Sequence, residues 1–377
     1  MVGGLDQPTA FAFAPDGRIF IAGKRGDVRI ARDGVLLPTP FIQLAADTFA
    51  QRGLLGLALD PNFETNGYVY LYYTLERQGA NPKGPRTARL VRVTAGGDIA
   101  AAGSEMVLLG SVVGDSSRPS CADLPVGNDC LPADGCCHVG GGLRFASDGT
   151  LFVATGDGAS TIERRFRSQN LDSLAGKMLR INPDGSAPRD NPYFTGDPAA
   201  NRSKVWAYGL REPFRFGLQP GTDLPFIGDV GSLFWEEINI AYPGVNFGWP
   251  CYEGQGRSYG AEQYPICQAL FQQAPGAVAP PLHTYATTFH AVIGGDFALA
   301  YPDPYAGAYF FGDWAQASIS YLTVDDDNNL KDVQKFATDT GGPVAMNTGP
   351  DGEIYYLAWE TGELRHIRPV DTSPPTP

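Results

Sequence analysis

The chain is short of charge, and shorter still of positive charge. Only 18% of its 377 residues are charged, 28 basic side chains face 41 acidic ones for a net charge of −13, and no stretch gathers Lys or Arg into a patch. Binding along a nucleic-acid backbone or an anionic membrane needs clustered positive charge, so neither is expected. No apolar run approaches the roughly 20 residues that a membrane-spanning helix requires. Helical periodicity is confined to short segments such as Asn170–Ala175, which excludes a parallel α/β fold. The start of the chain lacks a basic segment followed by an apolar one and reads as mature protein, a secretory leader having been trimmed.

What is plentiful is Gly (47), Pro (31), Phe (21) and Tyr (17), the composition of many short strands joined by tight turns. One pattern recurs: apolar alternation, then Pro-Asp-Gly or a near equivalent, then an aromatic and β-branched run. It occurs at Phe13 with Asp16-Gly17, at Leu59 with Pro61-Asn62, at Phe145 with Asp148-Gly149, and at Thr348 with Asp351-Gly352. Weaker copies lie at Leu179 to Gly185, Phe216 to Asp229, and Tyr309 to Trp314. Asp-Gly supplies the positive φ that a tight hairpin turn needs, and the alternation supplies one buried face. Hairpins repeated from end to end predict an all-β fold, a β-propeller of radial blades. The propeller is expected over residues 1–368, with a Pro/Thr-rich linker over 369–377 of the kind that leads to a further domain.

The six cysteines fall into local pairs: Cys121 with Cys130, Cys136 beside Cys137, and Cys251 with Cys267. An even count in short-range pairs reads as disulfides and an oxidising compartment, secreted or periplasmic. The spacing of the first four around His138 matches no common zinc motif.

Four histidines are available for chemistry. His366 lies in a closing strand and is expected on a solvated face, while His283 and His290 flank a loop-like stretch from which either can face the central channel. His138 precedes the run Gly140-Gly141-Gly142 and enters a hairpin whose far end carries Gly156-Asp157-Gly158. Normal pairing brings the two ends together, so Asp157 can fix the imidazole tautomer and raise its basicity, as a general base requires. The alternative is a satisfied histidine at a blade edge, with Asp157 capping a turn. Arg211 sits where a strand gives way to a loop and suits an anionic oxygen, or else an ion pair with Glu212. Further on, Asp229, Glu236 and Glu237 share an irregular loop that suits a hard cation such as calcium.

The succession Gln51-Arg-Gly-Leu-Leu-Gly-Leu, His138 to Asp157, Tyr208-Gly-Leu-Arg211-Glu212-Pro, and Trp235-Glu-Glu-Ile-Asn to Asn246-Phe-Gly-Trp-Pro resembles the glucose/sorbosone dehydrogenase family over residues 3 to 368. That family includes soluble quinoprotein glucose dehydrogenases and aldose sugar dehydrogenases, and the propeller of hedgehog-interacting-protein-like proteins is related. The resemblance implies six four-stranded antiparallel blades that bind pyrroloquinoline quinone (PQQ) and calcium and oxidise the anomeric carbon of an aldose or oligosaccharide to a lactone, passing electrons to an external acceptor. By the same resemblance His138 is the base, Asp157 orients it, Gln51 touches the sugar, and Arg211 lies against the quinone. Arg215 is a second cation for the cofactor. Gly231 and Ser232 match an active-site calcium, and Glu237 with Phe247 a separate structural one.

The chain departs from the family where cations meet the quinone carboxylates. A family lysine falls at Ala315, family arginines fall at Gly342 and Val344, and a family asparagine becomes Glu212, a carboxylate expected to oppose an anion. Consecutive Cys136 and Cys137 predict a strained ring beside His138, a platform for a planar ligand. Besides the dehydrogenase, the pattern admits a carbohydrate- or protein-binding propeller that has lost the cofactor, or a calcium-dependent lactonase-like hydrolase with His138 activating water.

Overall fold

The computed structural model describes residues 2–368 apart from 82, 116–118, 123, 159–160 and 287; the expected linker over 369–377 lies outside the described residues. Six antiparallel blades stand around a central axis, and their innermost strands, Pro8–Phe13, Leu54–Leu59, Gly140–Phe145, Pro213–Leu218, Val292–Phe297 and Pro343–Thr348, pack side by side in a closed ring. The last blade has three strands of its own, and Val2 completes it by exchanging backbone hydrogen bonds with Leu364. Chain start thus closes on chain end, which removes the exposed sheet edge an open fold would leave.

The repeated Asp-Gly motif builds the same turn each time. In the first, third and last blades the residue two before Asp donates to the carbonyl two after it (Ala14 to Arg18, Ala146 to Thr150, Gly349 to Glu353, all at 2.8 Å). The Asp carboxylate accepts the backbone N–H of that same residue in each case. Glycine at φ near +80° is needed at the tip. The copy at Asp184-Gly185 forms this turn as well, yet it leads into an excursion that returns only at Val205–Tyr208. Local turn chemistry is the same, and only the distance to the next apolar strand differs. The one helical expectation is corrected: Asn170–Ala175 is a turn, and the helical residues lie just before it, at Ile162–Arg165 and Phe166–Gln169.

The core lies between the blades rather than at the axis. Each pair of neighbours shares a layer of buried side chains, such as Phe20, Ile30, Leu57 and Leu71 between the first two blades, and Phe226, Ile238, Phe297 and Tyr309 between the fourth and fifth. The ring closes through Val2, Phe11, Ile21, Leu357 and Leu364. Burying each such side chain contributes about 1.5–3 kcal/mol.

Candidate active site

A cavity of about 430 Å³ opens at the end of the propeller where the inner strands begin, and all six blades reach it. Four of its lining residues occupy one repeated position, the first residue after the second strand of a blade: Lys24, Val230, Trp314 and Trp359. Lys24 was not singled out from the sequence; its register in the repeat is the signal that would have found it.

His138 and Asp157 flank the hairpin of the third blade, two residues outside the Gly140–Thr155 pair. His138 Nδ1 stands 2.8 Å from Asp157 Oδ1, and the other carboxylate oxygen accepts the indole N–H of Trp249 at 2.8 Å. Asp157 is fully buried, while His138 lines the cavity. With the carboxylate accepting at Nδ1, that nitrogen carries the ring proton and Nε2 keeps a free lone pair. Burial, the largest influence, lowers the His138 pKa below its ordinary 6.5 against the opposing pull of Asp157, so the ring is neutral at pH 7. The close approach needs glycine: a Cβ on Gly156 would lie 2.1 Å from the His138 carbonyl oxygen.

Arg211 opens the fourth blade. Its backbone N–H donates to Asp229 Oδ2 at 3.0 Å, its carbonyl accepts the Asp157 N–H, and its Nη1 donates to the Val230 carbonyl at 2.8 Å. Its Nε is buried without a partner, and no ion pair forms with Glu212. Glu212 accepts the Gly140 N–H through Oε1 at 2.9 Å and leaves Oε2 buried and unpaired at the cavity wall. Burial pushes its carboxyl up to about 8, so at neutral pH it is an uncharged hydrogen-bond donor and not the opposing anion the sequence suggests. Arg215 is also corrected: it does not line the cavity. It is 7% exposed, and its terminal nitrogens are taken by the carbonyls of Thr9, Leu55 and Phe214, which ties three inner strands together. Gln51 does reach the cavity, and its Oε1 accepts the His138 N–H at 3.3 Å.

The residues expected at two separate calcium sites meet at one place. Gly231, Ser232, Glu237 and Phe247 line a single cavity of about 10 Å³, together with Asp229 and Glu253. That volume suits one ion or one water. Burial drives the Asp229 and Glu237 carboxyls upward, and Arg211 is the cation that opposes the shift at Asp229. Glu253 Oε1 is held by the backbone N–H groups of Ser232, Leu233 and Phe234 at 2.7–3.0 Å. Of the acidic trio expected for a hard cation, Asp229 and Glu237 line this cavity and Glu253 joins them, whereas Glu236 does not line it and accepts the Val292 N–H through Oε2 at 2.9 Å. Arg211, Val230 and Gly231 line both cavities, so the acidic pocket adjoins the larger one.

The Glucose / Sorbosone dehydrogenase family profile matches residues 5–366. This chain belongs to that family. Aldose sugar dehydrogenase YliI of Escherichia coli is 29% identical over 97% of this chain and 91% of its own length. The apo crystal structure of the soluble aldose sugar dehydrogenase from Escherichia coli superposes with a TM-score of 0.76 at 25% identity, over 98% of each chain. The PQQ-bound aldose sugar dehydrogenase of Streptomyces coelicolor has the same fold (TM-score 0.70, 22% identity, 97% and 94% covered). The family and its relatives indicate a sugar dehydrogenase.

In this member of the family the far wall of the cavity is apolar. Ile293, Trp314, Val344 and Trp359 line it, with Val344 standing where a family cation is expected. Ala315 and Gly342 add no charge beside it. All three expected disulfides form, Cys121–Cys130, Cys136–Cys137 and Cys251–Cys267, with Cys137 on the cavity wall. No described helix is long and apolar enough to cross a membrane. The remaining histidines stay out of the cavity. His283 is on the outermost strand of the fourth blade, and His290 pairs with Asp313 at 2.9 Å. His366 is not solvated: its side chain is 8% exposed, stacked on Tyr355 and 2.5 Å from Glu353.

Proposed function

We propose that this protein oxidises the anomeric carbon of an aldose, or of the reducing end of an oligosaccharide, to the lactone. The observation that carries the reading is the neutral His138 at the cavity wall, with Nδ1 tied to buried Asp157 and Nε2 free. Nε2 takes the proton of the C1 hydroxyl, and Asp157 then stabilises the imidazolium that forms, itself held in place by Trp249. Gln51, beside the base, orients the sugar.

The residues present fit PQQ and calcium on one side of the cavity. Two buried polar atoms without partners, Arg211 Nε and Glu212 Oε2, meet there, and Lys24 brings an ammonium group that no described carboxylate pairs with. These would hold the quinone's oxygens and carboxylates. Asp229, Glu237 and Glu253, with carbonyls at Gly231, Ser232 and Phe247, form a hard oxygen set that a calcium ion would neutralise. PQQ held there would supply the two-electron acceptor for the hydride that leaves C1. The apolar wall at Trp314, Val344 and Trp359 offers no cation to a tricarboxylate, so we expect looser retention of PQQ than a fully cationic rim would give. Three disulfides fit action outside the cytoplasm, in a secreted or periplasmic setting, with an external electron acceptor.

The test is reconstitution with PQQ and calcium, followed by dye reduction with a panel of aldoses and oligosaccharides. Substrate-dependent reduction that His138→Ala abolishes supports the reading. Absence of both quinone binding at high micromolar concentration and dye reduction sinks it.

A further inference from the structure

His138 adopts a backbone conformation that side chains rarely take, at φ +58°. Such a conformation persists only where the surroundings over-determine it. Here four hydrogen bonds and one covalent link converge. The Gln51 N–H donates to the Cys136 carbonyl at 3.1 Å, the Gly158 N–H donates to the His138 carbonyl at 2.8 Å, and the Gly135 N–H donates to the Gly158 carbonyl at 2.9 Å. The His138 N–H in turn donates to the Gln51 side chain. Between these clamps lies the Cys136–Cys137 disulfide, which closes a small ring through the two residues immediately before the histidine.

We propose that the Cys136–Cys137 ring is a positioning element that holds His138 against Asp157 and locks Gln51 into the same unit. The inference rests on the reading of His138 as the base. Closing the ring removes backbone and side-chain rotations where the chain must enter the left-handed turn, so the imidazole arrives with its direction set. Cleaving the S–S bond gives two thiols and frees those rotations; a phosphine supplies the two electrons and is oxidised to its oxide, with water giving the oxygen and the two protons, or a dithiol supplies both electrons and protons and closes to its own disulfide. The Cys136 carbonyl then loses its fixed aim at Gln51. Cys136 is exposed, whereas in the other two disulfides Cys121 is half-buried and Cys130, Cys251 and Cys267 are buried, so this ring is the most accessible of the three to a reagent in solution.

The test compares the full-length protein with its Cys136→Ser/Cys137→Ser variant, with Cys121→Ser/Cys130→Ser as a control for general disulfide loss. Turnover of the reconstituted protein is one readout, and histidine titration by NMR is the other. The charges facing the His138 imidazole are Asp157, Arg211 and Arg165, and none is altered. We expect kcat to fall about 10- to 100-fold with KM nearly unchanged. The His138 titration should rise toward its ordinary 6.5 as the ring gains solvent, and the control should match the parent. Gentle phosphine treatment of the parent, with mass mapping to show that only this disulfide has opened, reproduces the effect without a substitution. Unchanged kcat together with an unchanged His138 titration overturns the proposal. If the parent shows no dehydrogenase activity, the functional reading fails separately, and the titration alone decides whether the ring positions the histidine.

Discussion

The two walls of the cavity are built on opposite principles. Blades two to four supply Gln51, His138, Arg211 and Glu212, polar groups each held by named hydrogen bonds, while blades five and six supply Ile293, Trp314, Val344 and Trp359. The first wall carries what proton transfer needs. The second has apolar surface where the family resemblance calls for cations. The proposed base and the proposed cofactor rim therefore stand on different blades: the His138–Asp157 pair is in place on a wall whose opposite side carries no cation.

The largest expected effect lies on the polar wall. Replacing His138 with Ala should lower kcat/KM about 10²- to 10⁴-fold in steady-state dye reduction. Because burial holds the His138 pKa below 6.5, the acid limb of the pH profile should lie below pH 6.5. Asp157→Asn removes the interaction that raises that pKa, so the residual activity should show its acid limb displaced further down. An acid limb at or above pH 7 in the parent would remove His138 from the role of base.

Calcium removal comes next. Asp229 and Glu237 have pKa values raised above 3.8 and 4.5 by burial, so the folded chain binds more protons than the unfolded one above that range. Chelated protein should accordingly lose stability as pH rises from about 4.5 through neutrality. Added calcium should restore it, by about 2.7 kcal/mol at one hundred times its Kd. Thermal melts at pH 5 and pH 8, with and without calcium, check the sign. A larger calcium effect at the lower pH would contradict it.

On the cofactor side, Lys24→Met should weaken PQQ binding about 10- to 100-fold, the loss of one charge-assisted bond. The opposite wall should respond in the other direction, and less. Val344→Arg returns a cation to the apolar rim and should tighten PQQ binding up to about tenfold, since solvent near the cavity mouth screens part of the gain. Quinone titration of both variants tests whether the two walls differ as described. Equal and negligible effects would mean that neither residue meets the cofactor.

Much of this was legible in the sequence because it is local. An Asp-Gly turn flanked by alternation makes its hairpin wherever it occurs, as the matching bonds at Ala14, Ala146 and Gly349 show. His138 and Asp157 meet because both stand two residues outside one paired hairpin. The three disulfides follow from short spacing. Burial, by contrast, is a property of six blades closing together, and no window of sequence contains it. It makes Glu212 a neutral donor, spends Arg215 on the carbonyls of Thr9, Leu55 and Phe214, and gathers the expected calcium ligands into one cavity. It also brings Lys24, from the first blade, to a cavity whose histidine comes from the third. The sequence by itself determined the repeated hairpins and the pair at their end. The tertiary structure decided which charges survive near that pair, because desolvation depends on everything packed around a group and not on its neighbours in the chain.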